Sequence, residues 1–379
     1  MFNLPLMEEH PEAFSGMRVV LRLDLNVPLE GGEIRDDYRI RESLPTINFL
    51  RDAGARVVII SHIGKGKPED TLKPVATYLE KLYSTVTFLS TLKSDENVRI
   101  TENMVPGDIV LLENLRHDKG EEDNDLEFAK YLASLGDVYV NDAFSVSHRA
   151  HASVVGVALL LPHYTGIRLA EEVDRLALAF NPEHPFLFIL GGSKISTKMP
   201  LLKKFLDIAD NVLVGGAIVN NFFKVAGHEI GTSLYDPEEL DGLAEYLDHP
   251  HLIIPKDVVV KNPAGSETRA IENVNAGDMI VDVGSETIKH LEGVIGAAKL
   301  IVWNGPLGFY EEGFTEGTRE LLDLIAGSRA TSIIGGGDTV ALINEMGAIG
   351  KFSFVSTGGG AMLDFLANET LPGIEALRK

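Results

Sequence analysis

No cysteine occurs among the 379 residues, which removes disulfides, thiolate metal sites and cysteine nucleophiles together. Positive charge is scarce: 34 Lys and Arg stand against 56 Asp and Glu, a formal net charge of −22. That balance argues against general affinity for nucleic acid or an anionic membrane, so an anionic substrate needs a locally basic cleft. No span is apolar enough for long enough to cross a bilayer, and the opening MFNLPLMEEHPEAFSG has neither the basic segment nor the apolar stretch of a secretory signal. A soluble cytoplasmic protein is the expectation. The common nucleotide signatures are missing too. There is no GxxxxGK[S/T] loop, no GxGxxG fingerprint and no HRD loop paired with DFG.

What is present is apolar material for two cores, 45% of the chain, in short runs separated by helical intervals. In the first half the runs are Val19–Leu25, Val57–Ser61, Val86–Leu89, Ile109–Leu112 and Val138–Asn141. A second series comprises Phe186–Leu190, Val212–Val214, Leu252–Pro255, Met279–Val283, Leu300–Trp303, Ser332–Ile334 and Phe352–Val355. Continuous β-branched runs of this kind predict buried parallel strands in βαβ units, hence two open α/β sheets. Between the series, LAEEVDRLALAF at 169–180 has helical spacing and ends at Asn181–Pro182, which places the domain boundary within or near it.

Three glycine clusters adjoin apolar runs: GGSKIST at 191–197, followed by Lys198, GGGDT at 335–339, and STGGGA at 356–361. They read as strand-to-helix turns whose bare backbone closes around phosphate oxygens. Lys194 and Lys198, four apart, are expected on one face of a helix, where an anion between them offsets their repulsion. In the first cluster of loops, Asp24 and Asn26 can orient hydroxyl or carboxylate groups and Arg39 offers a planar fork, although each also fits a turn cap or a solvated helix. SHIGK at 61–65, ENLRHDKGEE at 113–122 and NDAFSVSHRAHAS at 141–153 add His62, Lys65, Arg116, His148, Arg149 and His151. Loops at strand C-terminal ends converge in an open parallel sheet, so these residues predict a basic pocket. His148 and His151 lack a third metal ligand and have an arginine between them, which disfavours a dication. In VWNGPLGFYEE at 302–312, Asn304 holds a loop or a ligand, and Glu311 suits ribose hydroxyls. Asp338 suits Mg²⁺ and Thr339 phosphate, with a helix cap as the plainer reading of both.

Taken in order, LDLNVP at 23–28, the histidine loop, ENLR, VNDAF with HRAHAS, GGSKISTK, WNGPLGFYE, GGGDT and STGGGA resemble the phosphoglycerate kinase family over nearly the whole chain. The resemblance implies two Rossmann-like α/β domains with parallel-sheet cores, joined by a helix, with a cleft between them. The expected boundaries are 1–168 for a phosphoglycerate-binding domain, 169–181 for the interdomain helix, 182–361 for a nucleotide-binding domain, and 362–379 for a segment returning to the first domain. It implies a monomer that exchanges a phosphoryl group between 1,3-bisphosphoglycerate with ADP and 3-phosphoglycerate with ATP, using Mg²⁺.

The roles it implies divide between the domains. Asp24 and Asn26 position the acid end of the substrate. His62, Arg116 and Arg149, with Lys65, hold its remote phosphate. Arg39 and Lys194 reach the transferring group. Lys198 with Gly191 and Gly192 lies near the polyphosphate, Asp338 on Mg²⁺, Thr339 near phosphate, and Asn304 and Glu311 with the nucleotide. Gly336 and Gly337, and Gly360 of the last cluster, turn helix N–H groups toward the reaction. The chain departs from the family pattern at Lys65 for arginine, His117 for phenylalanine, Glu171 for lysine and Ser285 for proline. The competing readings are another carboxylate kinase, separated by assay with 3-phosphoglycerate against acetate, and a catalytically silent nucleotide-binding scaffold, which binds ADP or ATP without phosphoglycerate-dependent exchange.

Overall fold

The computed structural model describes residues 2–378. The chain divides into two compact units, Met1–Asp174 with Asn368–Lys379, and Arg175–Ala367.

In the first unit, β1 (Arg18–Arg22), β4 (Arg56–Ile60), β5 (Val86–Leu89), β6 (Ile109–Leu112), β7 (Val138–Asn141) and β8 (His163–Thr165) form one sheet, ordered β5-β6-β4-β1-β7-β8. Every pairing in it is parallel. A small antiparallel hairpin, β2 (Leu29–Glu30) with β3 (Glu33–Ile34), stands apart from it. The runs RVVLR and RVVII make strands because alternate β-branched side chains have a wall on each face to bury against. Val19, Leu21, Val57, Ile59, Ile109 and Leu111 share one of those faces with Ile40, Ile47 and Leu50 of the helix Tyr38–Asp52. That packing fixes the helix whose first turn carries Arg39.

In the second unit, β9 (Phe186–Leu190), β10 (Asn211–Val214), β11 (Leu252–Ile253), β15 (Leu300–Asn304), β16 (Thr331–Gly335) and β17 (Phe354–Val355) form a second all-parallel sheet, ordered β11-β10-β9-β15-β16-β17. The helix Met199–Ile208 stacks Phe205 on Phe188 of β9 with ring centroids 3.8 Å apart. Its N-terminus is thereby held beside the turn after β9.

The expectation of two parallel-sheet α/β cores holds, with one strand misassigned. Met279–Val283 is not part of the parallel sheet. It is β14 of a three-stranded antiparallel sheet, with β12 (Asp257–Asn262) at the centre and β13 (Gly265–Ala270) beyond it. An apolar run reports burial, not the direction of its partner, and GSETRA of β13 is exposed along almost all its length. The helix Ile167–Ala177, continued by the turn Leu178–Phe180, carries the chain from the first unit into the second. Glu171 on it meets Arg168 at 3.1 Å, and Arg168 also contacts Glu42 at 2.7 Å and the fully buried Glu172 at 3.2 Å.

Candidate active site

The first unit gathers cations where its strands end. Asp24 and Asn26 follow β1, His62 follows β4, Arg116 follows β6 and Arg149 follows β7. Arg39 donates from its guanidinium to Asp24 Oδ2 at 2.6 Å, and Ser145 Oγ donates to the same oxygen at 2.6 Å. Asn26 Oδ1 accepts from the Gly64 N–H at 2.9 Å, tying the loop after β1 to the histidine loop. The Arg116 guanidinium donates to the Gly64 carbonyl, so three loops close on one turn.

Behind them lies a residue the sequence reading passed over. Arg22, the last residue of β1, is 1% exposed and donates to His62 Nδ1 at 3.2 Å. A guanidinium only donates, so His62 Nδ1 accepts and its proton sits on Nε2. Burial, together with Arg22, Arg116, Arg39 and Arg149, holds the His62 pKa well below the ordinary range. His62 is therefore a neutral donor at pH 7, whereas the arginines supply the charge. Arg22 is anchored in turn through Nε to Ser153 Oγ at 2.9 Å, and Ser153 Oγ donates to the buried Glu121 carboxylate at 2.6 Å. Glu121 also lies 3.7 Å from His151 Nδ1. Arg149 is exposed, with Nε 3.2 Å from His148 Nε2. Lys65 is exposed, its backbone N–H held by Asp70 at 2.8 Å, and no contact joins its side chain to the arginines among the described residues. His117 Nε2 lies 3.1 Å from the Lys67 carbonyl.

The second unit builds differently. After β9 the chain turns through Gly191 and Gly192, and Lys198 folds its ammonium back to the Gly191 carbonyl. A Cβ on Gly192 would lie 2.8 Å from that nitrogen and one on Gly305 would lie 3.0 Å from it, so two glycines leave the room the ammonium occupies. Both have φ near +90°, +93° and +91°, which other residues rarely adopt. Burial lowers the Lys198 pKa to about 8, against the pull of Asp338.

Lys194 and Lys198 do not share a helix face. The helix begins at Met199 with Pro200 in its first turn; Lys198 is the residue that precedes it, and Lys194 is exposed on the turn before.

Beyond Lys198 opens a cavity of about 460 Å³, lined by Gly192, Gly215, Gly216, Val219, Leu234, Val258, Ile280 and Leu307, with Glu311 and Asp338 also on its wall. Its size and apolar walls suit a nucleoside. Asp338 and Thr339 occupy the first turn of the helix Gly337–Glu345, after Gly336. Partial burial and then Glu311 raise the Asp338 pKa, while Lys198 lowers it. Thr339 is fully buried, and its hydroxyl has no hydrogen-bond partner among the described residues. Asn304, at the end of β15, is buried with Nδ2 3.4 Å from Met362 Sδ of the helix Gly360–Asn368. Gly337 and Gly360, the first residues of their helices, are exposed. Much of the cavity wall comes from the antiparallel sheet and from Gly215–Val219, which no motif had marked.

The family model described as phosphoglycerate kinase matches residues 10–369. A phosphoglycerate kinase of Dictyoglomus turgidum is 43% identical over 389 aligned residues, covering 98% of this chain and 98% of that one. One of Thermosipho africanus is 43% identical, covering 96% and 95%. Among solved structures, phosphoglycerate kinase from Coxiella burnetii superposes with a TM-score of 0.82 at 39% identity, over 96% of this chain and 97% of that one. The enzyme from Pyrococcus horikoshii gives 0.86 at 32% identity, over 99% and 98%.

Proposed function

Since this chain belongs to the phosphoglycerate kinase family, we infer from its geometry which residues carry the family's reaction. The enzyme exchanges a phosphoryl group reversibly between 1,3-bisphosphoglycerate with ADP and 3-phosphoglycerate with ATP. In the ATP-consuming direction a carboxylate oxygen of 3-phosphoglycerate attacks the γ-phosphorus. The bond from that phosphorus to the bridging oxygen breaks, and ADP leaves with the electron pair. The nucleophile is already an anion, so no general base is needed. The protein's work is alignment and neutralisation of the phosphoryl oxygens.

The first unit takes the acid. Arg116 and Arg149, with Lys65, hold the remote phosphate, and His62 adds a neutral Nε2–H. Asp24 and Asn26 set the carboxylate end, and Arg39, held by Asp24, turns toward the phosphoryl group. The second unit takes the nucleotide. Glu311 accepts from ribose hydroxyls, Lys198 and the Gly191–Gly192 turn meet the polyphosphate, and Lys194 and the N–H groups beginning at Gly337 and Gly360 face the moving group. Asn304, where β15 gives way to the loop that carries Glu311, stands with the nucleotide, and Thr339 offers its unpaired hydroxyl to phosphate.

Asp338 fits Mg²⁺. Its carboxylate is partly exposed, and the neighbouring Glu311 leaves an excess of negative charge that a dication relieves. One carboxylate with phosphate oxygens and water is the usual set for this ion. When bound, Mg²⁺ supplies positive charge to the phosphate oxygens. No helix among the described residues is long and apolar enough to cross a membrane, and we place the enzyme in the cytoplasm as a monomer.

The observation that carries the nucleotide-side assignments is the nucleoside-sized cavity whose lining includes Gly192, Glu311 and Asp338. A coupled assay with 3-phosphoglycerate and ATP, repeated without Mg²⁺ and with acetate, tests the whole reading. Turnover that needs both Mg²⁺ and phosphoglycerate is expected; turnover indifferent to phosphoglycerate overturns it.

A further inference from the structure

One buried acid on the cavity wall has no part in the roles above. Asp282 lies in β14, 4% exposed, and lines the cavity with Glu311. Its Oδ1 accepts from the Val283 N–H at 2.8 Å and its Oδ2 from the Gly317 N–H at 3.0 Å. Gly317 is in the first turn of the helix Glu316–Ala326, directly after the loop that carries Glu311. The same loop is fastened at its other end, where the Leu307 N–H donates to Thr318 Oγ1 at 3.0 Å, and in its middle, where the Phe309 N–H donates to the Val281 carbonyl at 2.8 Å. A Cβ on Gly308 would come within 2.7 Å of Asp282 Oδ1, as would one on Gly317, so the loop is drawn tight against this carboxylate on two sides.

We propose that Asp282 is a positioning residue for nucleotide binding, whose carboxylate pins the 307–317 loop to β14 and so sets where Glu311 stands on the cavity wall. The proposal rests on the cavity being the nucleotide site. It makes ribose recognition depend on an acid whose two oxygens already accept from backbone N–H groups. Only a carboxylate offers both oxygens as acceptors; an amide turns a donor toward one of the two N–H groups. Burial is the main cause that raises the Asp282 pKa, to about 6, with Glu316 and Glu320 of the facing helix adding to it against the two N–H groups. Acidification therefore loosens the pin.

The test is nucleotide and adenosine binding by the full enzyme. Adenosine has no phosphate to titrate, so its affinity reports the cavity alone. Asp282→Asn is expected to raise the nucleotide KM about tenfold, with kcat and the phosphoglycerate KM within about twofold of the unmodified enzyme. Adenosine affinity of the unmodified enzyme falls as the pH drops through about 6, a step that persists in Glu311→Gln and is absent from Asp282→Asn. An unchanged nucleotide KM in Asp282→Asn, or equal losses in kcat and both KM values, overturns the proposal. If circular dichroism shows that variant unfolded, the unmodified enzyme decides, and a flat adenosine titration refutes it. Adenosine affinity untouched by Glu311→Gln refutes the cavity assignment itself, and the proposal with it.

Discussion

In the assignment proposed above, the two units hold anions by opposite means. The first brings together Arg22, Arg39, Arg116 and Arg149 around a neutral histidine and offsets part of that charge with Asp24 and Glu121. The second uses glycine turns, helix starts and apolar walls, with one buried lysine at its centre. In a chain of net charge −22 the contrast is instructive. A small, highly charged acid leaves little to grip except charge, so the first site imports guanidinium groups. A nucleotide has a large base and sugar, and shape can do much of the holding. The first site should answer to ionic strength and the second to volume and backbone conformation.

The sharpest way to break the comparison is to remove one cation from each side. Arg39→Ala and Lys194→Ala are each expected to lower kcat by about a hundredfold or more, as loss of a group acting on the transferring phosphoryl does. Near-normal turnover in both variants, with native circular dichroism, would refute the roles given to them. A smaller and one-sided effect is expected from Gly192→Val, which puts a branched side chain at φ +93° and against Lys198 Nζ. Nucleotide KM should rise about tenfold while phosphoglycerate KM stays put.

Lys198 gives a pH test. Its folded-state pKa, about 8, lies below the ordinary lysine value of 10.5. The unfolded chain therefore binds more protons between those values, and the contribution of Lys198 to stability rises with pH across that window. Nucleotide affinity should move the other way, falling as the ammonium deprotonates above about pH 8, while phosphoglycerate affinity does not share the step. Calorimetric titration of ADP, with thermal melts over the same range, reads both signs. The smallest expected difference is in salt. Phosphoglycerate KM should climb a few-fold as ionic strength goes from about 0.05 to about 0.3 M, and nucleotide KM by less; equal slopes would erase the distinction drawn here.

Much of this was legible in the residues, and the exceptions share a cause. The parallel strands announced themselves through continuous apolar runs, and Asp24, Arg39, His62 and Arg116 through polar residues just beyond them. Arg22 escaped because it is a charge inside the run Val19–Leu25, where it reads as an interruption between apolar residues; its burial depends on Ser153 and Glu121, far away in sequence. Asp282 escaped for a similar reason, as one acid inside MIVDV. Its partner, the Gly317 N–H, is a backbone group with no letter of its own. The expected shared helix face of Lys194 and Lys198 failed because spacing of four implies neighbours only if the helix has already started, and here Pro200 marks its beginning.

The passage of the chain back into the first unit orders events at birth. Asn368–Lys379 belongs with Met1–Asp174; there the Gly373 N–H reaches the Ser147 carbonyl at 2.8 Å and Ile374 is fully enclosed. A ribosome makes that segment only after all of Arg175–Ala367. The second unit is thus complete in sequence while synthesis continues, whereas the first, begun earlier, waits for its final piece.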